Sequence, residues 1–226
     1  MLLGKGKRIR TLFFIVLAFI GLNSFSAISF ATKSPQEAVV KTAQNSASKS
    51  LFDLIQKLQN MHADFTQTMV TARGVQQESK GEMWISKPSY FKWEITSPNN
   101  QLLVSNGQKL WNYDKDLEQV TIQKVPKDMS QAPYLLLLTG QPENLDRLFS
   151  ISKINEDLYR LTPKNQNDSI LDHVDMRFNQ GVLEALTIQT ATGQTSTIRF
   201  SHQKFVKISL STYDFVPPKG VDVLGA

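Results

Sequence analysis

The stretch from Gly81 to Gln123 holds all three tryptophans of the chain, Trp84, Trp93 and Trp111, and in it large apolar side chains alternate with polar ones. Phe91, Trp93 and Ile95 are spaced by two, and so are Trp111 and Tyr113. That period puts side chains on one side of a pleated strand. Ser97-Pro98-Asn99-Asn100 and Ser105-Asn106-Gly107 are turn signals that cut the stretch into short antiparallel pieces. The reading is a sheet with one large apolar face. What covers that face, protein or ligand, decides what the chain does.

The first 31 residues read as a leader rather than as part of this sheet. Lys5, Lys7, Arg8 and Arg10 precede an apolar run from Thr11 to Leu22, and Ser29-Phe30-Ala31 places small residues at −3 and −1. This is the pattern of a signal peptide cleaved after Ala31. The competing reading, an uncleaved anchor, needs a span of roughly 20 apolar residues, longer than this run. The whole chain has 25 basic and 20 acidic residues. Without the four basic residues of the leader, 21 basic face 20 acidic, so the basic pI belongs to the leader and gives no case for nucleic-acid binding. There is no cysteine. The core must therefore hold without disulfides, no cysteine can carry a lipid anchor, and thiolate chemistry is excluded.

Along the chain, Ser34-Pro35-Gln36-Glu37 opens a helix with a cap, a first-turn proline and a capping-box glutamate. Leu51, Phe52, Leu54, Ile55 and Leu58 give its second half an apolar stripe that docks on the sheet. From Ala63 the period shortens to two. Strands are expected over 63–72, 75–87, 90–96, 101–105, 109–113 and 117–125, then after Ser150 and around Val174–Phe178, 182–190, 196–201 and 206–210. Between them, Tyr134 and the run Leu135, Leu136, Leu137 and Leu138 read as a short helix from Pro133 to Gly140, with a further helical turn over 144–149. The reading is a mainly β chain with helices (α+β), one domain over 32–226, with about ten or eleven mostly sequential strands. A sheet of that many strands curls or closes. A closed barrel would hold one small ligand, and an open curl needs helices as a stopper.

Catalysis finds no support. His62, His173 and His202 are far apart and show no metal-ligand spacing, and neither a metal site nor a cofactor is expected. No nucleophile elbow or phosphate-binding glycine loop is present. Asp172 and His173 are neighbours, so their side chains should point to opposite sides of a strand. The apolar surplus says more. Four leucines in a row beside a sheet face rich in aromatics suggest an apolar chamber with a leucine stopper, the kind of concave site an apolar ligand needs. Lys87, at a strand end before Pro88, is either an ordinary exposed lysine or a fastener donating to backbone carbonyls of that stopper.

These residues resemble the periplasmic outer-membrane lipoprotein carrier (LolA) family. The resemblance rests on His62-Ala-Asp-Phe-Thr-Gln67, Gly81-x-x-Trp84-x-x-Lys87-Pro88-x-x-Phe91-x-Trp93, Leu103-Val-Ser-Asn-Gly-Gln-Lys-Leu-Trp111-x-Tyr113, Glu118-Gln119-Val120 and Phe215-x-Pro-Pro-x-Gly220-Val. It implies an unclosed antiparallel β-barrel, here of about 11 strands, with a helical lid. It implies a monomeric periplasmic carrier of Gram-negative bacteria. Such a carrier takes acylated lipoproteins from an inner-membrane ABC release complex, shields their acyl chains and hands them to an outer-membrane receptor lipoprotein. The expected cavity residues are Met83, Trp84, Phe91, Trp93, Ile95, Leu103 and Trp111. The lid is Tyr134 with Leu135 to Leu138, and Lys87 is the latch where other members carry arginine. The alternatives are a periplasmic lipid-binding or lipid-sensing module of the envelope-stress type, and a hydrolase of acylated substrates.

Overall fold

In the computed structural model of the chain, residues 35–125, 142–166 and 169–225 are described. Helix α1 (Pro35–Gln56) comes first, then β1 (Asn60–Val70), β2 (Gln76–Ser86), β3 (Tyr90–Ser97), β4 (Gln101–Asn106), β5 (Lys109–Asp114) and β6 (Gln119–Lys124). A short helix α2 (Pro142–Leu148) leads into β7 (Phe149–Lys153), β8 (Leu158–Pro163), β9 (Leu171–Asn179), β10 (Val182–Thr190) and β11 (Thr195–Lys204). The chain ends with a 3₁₀ turn (Leu210–Tyr213) and β12 (Asp222–Leu224). The lid residues Tyr134, Leu135, Leu136, Leu137 and Leu138 lie outside the described residues, as do the leader and Ser34.

All twelve strands among the described residues belong to one sheet in the order β12-β6-β5-β4-β3-β2-β1-β11-β10-β9-β8-β7. Neighbours are antiparallel except β12, which runs parallel to β6. Sequential hairpins build each half, and the pairing of β1 with β11 joins the two halves. The strand order ends at β12 and β7 without closing, so this is the open form of the two that the strand count allowed.

Local sequence explains the joints. The Gln180-Gly181 loop between β9 and β10 has φ of 51° and 80°, the two positive angles of a tight hairpin turn whose twist matches its strands. At Gly81 the register between β2 and β3 shifts, and a Cβ built there would lie 1.8 Å from the carbonyl oxygen of Glu94. Only glycine permits that approach.

Helix α1 buries Leu51, Phe52 and Ile55 against the concave side of the sheet, together with Leu58 just beyond its end. The apolar stripe read from the sequence is its docking face. Polar contacts fix its position: Ser48 Oγ donates to Asp146 Oδ1 of α2 at 2.7 Å, and Ser50 Oγ meets the Tyr159 hydroxyl of β8 at 2.9 Å.

Two expectations fail. The sheet has two covered apolar faces, not one, because the C-terminal tail packs Ile208, Tyr213, Phe215 and Val221 against the convex side. The alternation of Val206, Ile208 and Leu210 is not a strand. The chain leaves the sheet after Lys204, and only Ile208 is buried, while Val206 and Leu210 stay exposed. A crossing segment that seats one residue in two mimics the pattern of a half-buried strand.

Candidate functional site

The register of the central hairpins sorts the aromatic stretch into two opposed rows. On the concave side, Ala63 pairs with Met83, Met83 with Trp93 and Trp93 with Leu103. One step along, Met61, Ile85, Phe91 and Ser105 form the next row. Met83 and Phe91 are fully buried and Trp93 is 8% exposed. Ile95 and Leu103 are half-buried against the same cluster. Phe65 of β1 stacks on Trp93 with ring centroids 3.8 Å apart and planes 25° apart, and Phe91 lies 6.2 Å from Trp93. Phe65 is opposite Gly81, whose missing side chain leaves room for its ring. Sequence reasoning missed Phe65, although the alternation Met61, Ala63, Phe65 carried the signal.

Trp84 and Trp111 do not belong to this row. Trp84 follows Met83 directly, so the pleat sends it to the convex side. There the pairing runs His62, Trp84, Lys92, Val104, Trp111, Ile122 across five strand boundaries. Both tryptophans pack in the convex cluster, where Phe215 of the tail lies 6.2 Å from Trp111 and 5.9 Å from Tyr113. Their assignment to the concave cavity is corrected on that ground.

Lys87 stands where the concave cluster meets the end of α1. Its Nζ donates to the carbonyl of Ile55, and its backbone amide donates to Gln59 O at 2.9 Å. Burial lowers its ammonium from 10.5 to about 8, because charge is disfavoured away from water. A cation here also suits the negative end of the helix dipole, and it adds a second donor to a last-turn carbonyl that already accepts from Leu58 N at 3.0 Å. Beside it, Ser86 Oγ donates to Asn60 Oδ1 at 2.8 Å, and the Tyr213 hydroxyl donates to Ser86 Oγ at 2.8 Å. One knot of hydrogen bonds thus ties the end of α1, the start of β1, the end of β2 and the tail. Burial pushes the Tyr213 phenol up, and its bond to Ser86 only partly offsets this.

Polar groups elsewhere differ from expectation in one detail. Asp172 and His173 do meet, with Oδ2 and Nδ1 2.7 Å apart, although adjacent strand residues were expected to diverge. The side chains are at the rim of β9, where the register with β10 shifts nearby and short carboxylates can bend back.

The geometry is that of a curved sheet whose concave side is oily, roofed by α1 and fastened at the roof's end by Lys87. The family profile described as outer membrane lipoprotein carrier protein LolA matches residues 56–215. The outer-membrane lipoprotein carrier protein of Francisella tularensis subsp. novicida is 42% identical over 178 residues, covering 76% of this chain and 86% of that protein. The protein of the same name from Alcanivorax borkumensis is 34% identical over 189 residues, covering 81% and 90%. Among solved structures, an uncharacterized conserved protein from Thermus thermophilus shares the fold, with a TM-score of 0.50 at 14% identity over 79% of this chain and 98% of that one. With most of its sheet and its aromatic rows inside the matched segment, the chain belongs to the LolA family of outer membrane lipoprotein carrier proteins.

Proposed function

We propose that the protein is a periplasmic carrier that is exported by its leader, accepts acylated lipoproteins from an inner-membrane ABC release complex, and delivers them to an outer-membrane receptor lipoprotein. The observation that supports this most is the row Met83, Trp93, Leu103 with Phe91, Ile95 and Phe65, all apolar and all in one hydrophobic cluster with Leu51, Phe52 and Ile55 of α1. In this reading the row receives acyl chains once α1 swings aside, the segment Tyr134 to Leu138 completes the lid, and Lys87 is the latch.

The energetics suit a carrier. Burying a methylene is worth about 0.8 kcal/mol, so one long acyl chain carries on the order of 10 kcal/mol. In water that drives aggregation or membrane insertion. A chamber that stays roofed when empty moderates the affinity, since opening exposes the leucines and Ile55 of α1 along with the aromatic row, and that cost subtracts from cargo binding. Loading then requires a donor that drives the opening, and delivery runs downhill to a tighter receptor. The test is release of lipoproteins from spheroplasts by the purified protein. Release above a buffer control supports the carrier, and release equal to buffer contradicts it.

A further inference from the structure

Among the described residues, one cluster of metal-ligating groups forms, and it lies on the convex side, away from the chamber. The ligand atoms of His62, Asp64 and Glu82 all lie within 4.8 Å of one another. His62 and Asp64 project from the same side of β1, and Glu82 is paired with Asp64 across β2. His202 joins them from 138 residues away, its Nδ1 2.7 Å from Asp64 Oδ2, while His62 Nε2 sits 2.9 Å from Glu82 Oε2. Between the pairs His62–Lys204 and Asp64–Ser201 the register of β1 and β11 shifts, and His202 in that shift has φ of 51°. The extra residue is what re-aims the imidazole toward Asp64.

We propose that His62, Asp64, Glu82 and His202 form a binding site for a divalent first-row transition cation of the Zn²⁺ kind. Two imidazoles with two carboxylates are a nitrogen and oxygen donor set that suits Zn²⁺ and its neighbours, whereas Ca²⁺ and Mg²⁺ prefer oxygens alone. A tetrahedral Zn²⁺ with bonds of about 2.0–2.2 Å holds its donors about 3.4 Å apart, a contraction that side-chain rotation supplies. The Glu82 and Asp64 side chains are 46% and 47% exposed, each held by one histidine hydrogen bond, so solvent leaves them room to turn once that bond is exchanged for the cation. The two carboxylates attract a cation. On β11, Lys204 is paired with His62 and Arg199 with Thr66, one step beyond Asp64 on the same face; on the other strands Lys80 is paired with Glu78 at 3.2 Å and Lys92 with Glu94 at 3.1 Å. The His62 ring is stacked on Trp84, centroids 4.8 Å apart and planes within 8°, which fixes the direction of its nitrogens as outer-shell contacts do in metal sites. The cation displaces the two histidine–carboxylate hydrogen bonds and ties β1, β2 and β11 together just before the chain departs into its tail.

Calorimetry with Zn²⁺ and with Ca²⁺ on the purified protein tests this, alongside Cu²⁺ quenching of tryptophan emission with Trp84→Phe as the background. His62→Phe keeps a ring on Trp84 while removing both nitrogens, and His202→Asn keeps a residue that tolerates positive φ. Circular dichroism confirms that the variants fold. The expected result is one Zn²⁺ per chain, preferred over Ca²⁺, weakened about tenfold or more by His62→Phe, His202→Asn or Asp64→Asn, with Cu²⁺ quenching that falls in Trp84→Phe. Zn²⁺ binding that is absent, no tighter than Ca²⁺, or unchanged in these variants reduces the cluster to two surface hydrogen-bonded pairs and overturns the proposal.

Discussion

The Lys87 amine donates to the backbone carbonyl of Ile55, 32 residues earlier in the chain, and so holds the last turn of the roofing helix against the end of β2. That bond links one half-buried lysine's hydrogen bonding to whether the oily row beneath α1 is covered. Removing it weakens the closed state, and a weaker closed state binds cargo more tightly because less is spent on opening. Lys87→Leu is expected to load cargo and release it poorly, with affinity raised about fivefold for a loss of about 1 kcal/mol. Lys87→Arg, with a planar fork of five donors in place of a point charge, is expected to hold the roof more firmly and load less. Transfer assays from loaded carrier to receptor vesicles measure both, and unchanged handoff in Lys87→Leu removes the residue from the mechanism.

The same residue sets a pH dependence. In the folded chain Lys87 loses its proton near pH 8, and in the unfolded chain near its ordinary 10.5. Between these values the unfolded chain binds more protons, so this residue's contribution to stability rises with pH. The penalty for burying its charge is complete below about pH 8 and gone above about 10.5. Denaturant unfolding near pH 7.5 and pH 9.5 is expected to show the wild type gaining on Lys87→Met at the higher pH. Equal changes in the two proteins contradict this.

Gly81→Ala is expected to destabilise the fold by about 3 kcal/mol, since overpacking of this kind displaces backbone rather than a flexible side chain. The added Cβ meets Glu94 O at 1.8 Å, and the Phe65 ring is also close, at 2.9 Å. Phe65 would have to leave Trp93. Chemical denaturation checks the magnitude, and near-ultraviolet circular dichroism reports the broken stack.

Tyr213→Phe tests whether the tail is fastened through Ser86. The variant keeps the ring beside Tyr90, 5.5 Å away, and removes only the hydroxyl. It is expected to cost about 1 kcal/mol. Hydrogen exchange is expected to accelerate in residues 208–224 while β9 and β10 stay protected. Uniform acceleration across the sheet would show that the bond serves the whole fold.

Much of this architecture was legible because period-two alternation directly reports which side chains share a face. That is how β1 to β6 and β9 to β11 were placed, and how Phe91, Trp93 and Ile95 were grouped. The same rule, applied to adjacent residues, would have separated Met83 from Trp84. Trp111 was harder, because its face depends on the register of β4 with β5, which pairs it with Val104. The tail misled because Val206, Ile208 and Leu210 alternate for a different reason, crossing a surface rather than lying in a sheet. The meeting of Asp64 with His202 was invisible in spacing. It depends on the β1–β11 pairing that joins the two halves and on one extra residue in β11.

The central claim is that acyl chains enter beneath α1, on the concave row. Site-specific photocrosslinking with a radiolabelled lipoprotein, one position at a time, tests it most directly. Probes replacing Phe91 or Trp93 on the concave row are expected to capture the acylated cargo, and probes replacing Trp84 or Trp111 on the convex face are expected not to. Cargo captured at Trp84 or Trp111 and absent from Phe91 and Trp93 would contradict the account.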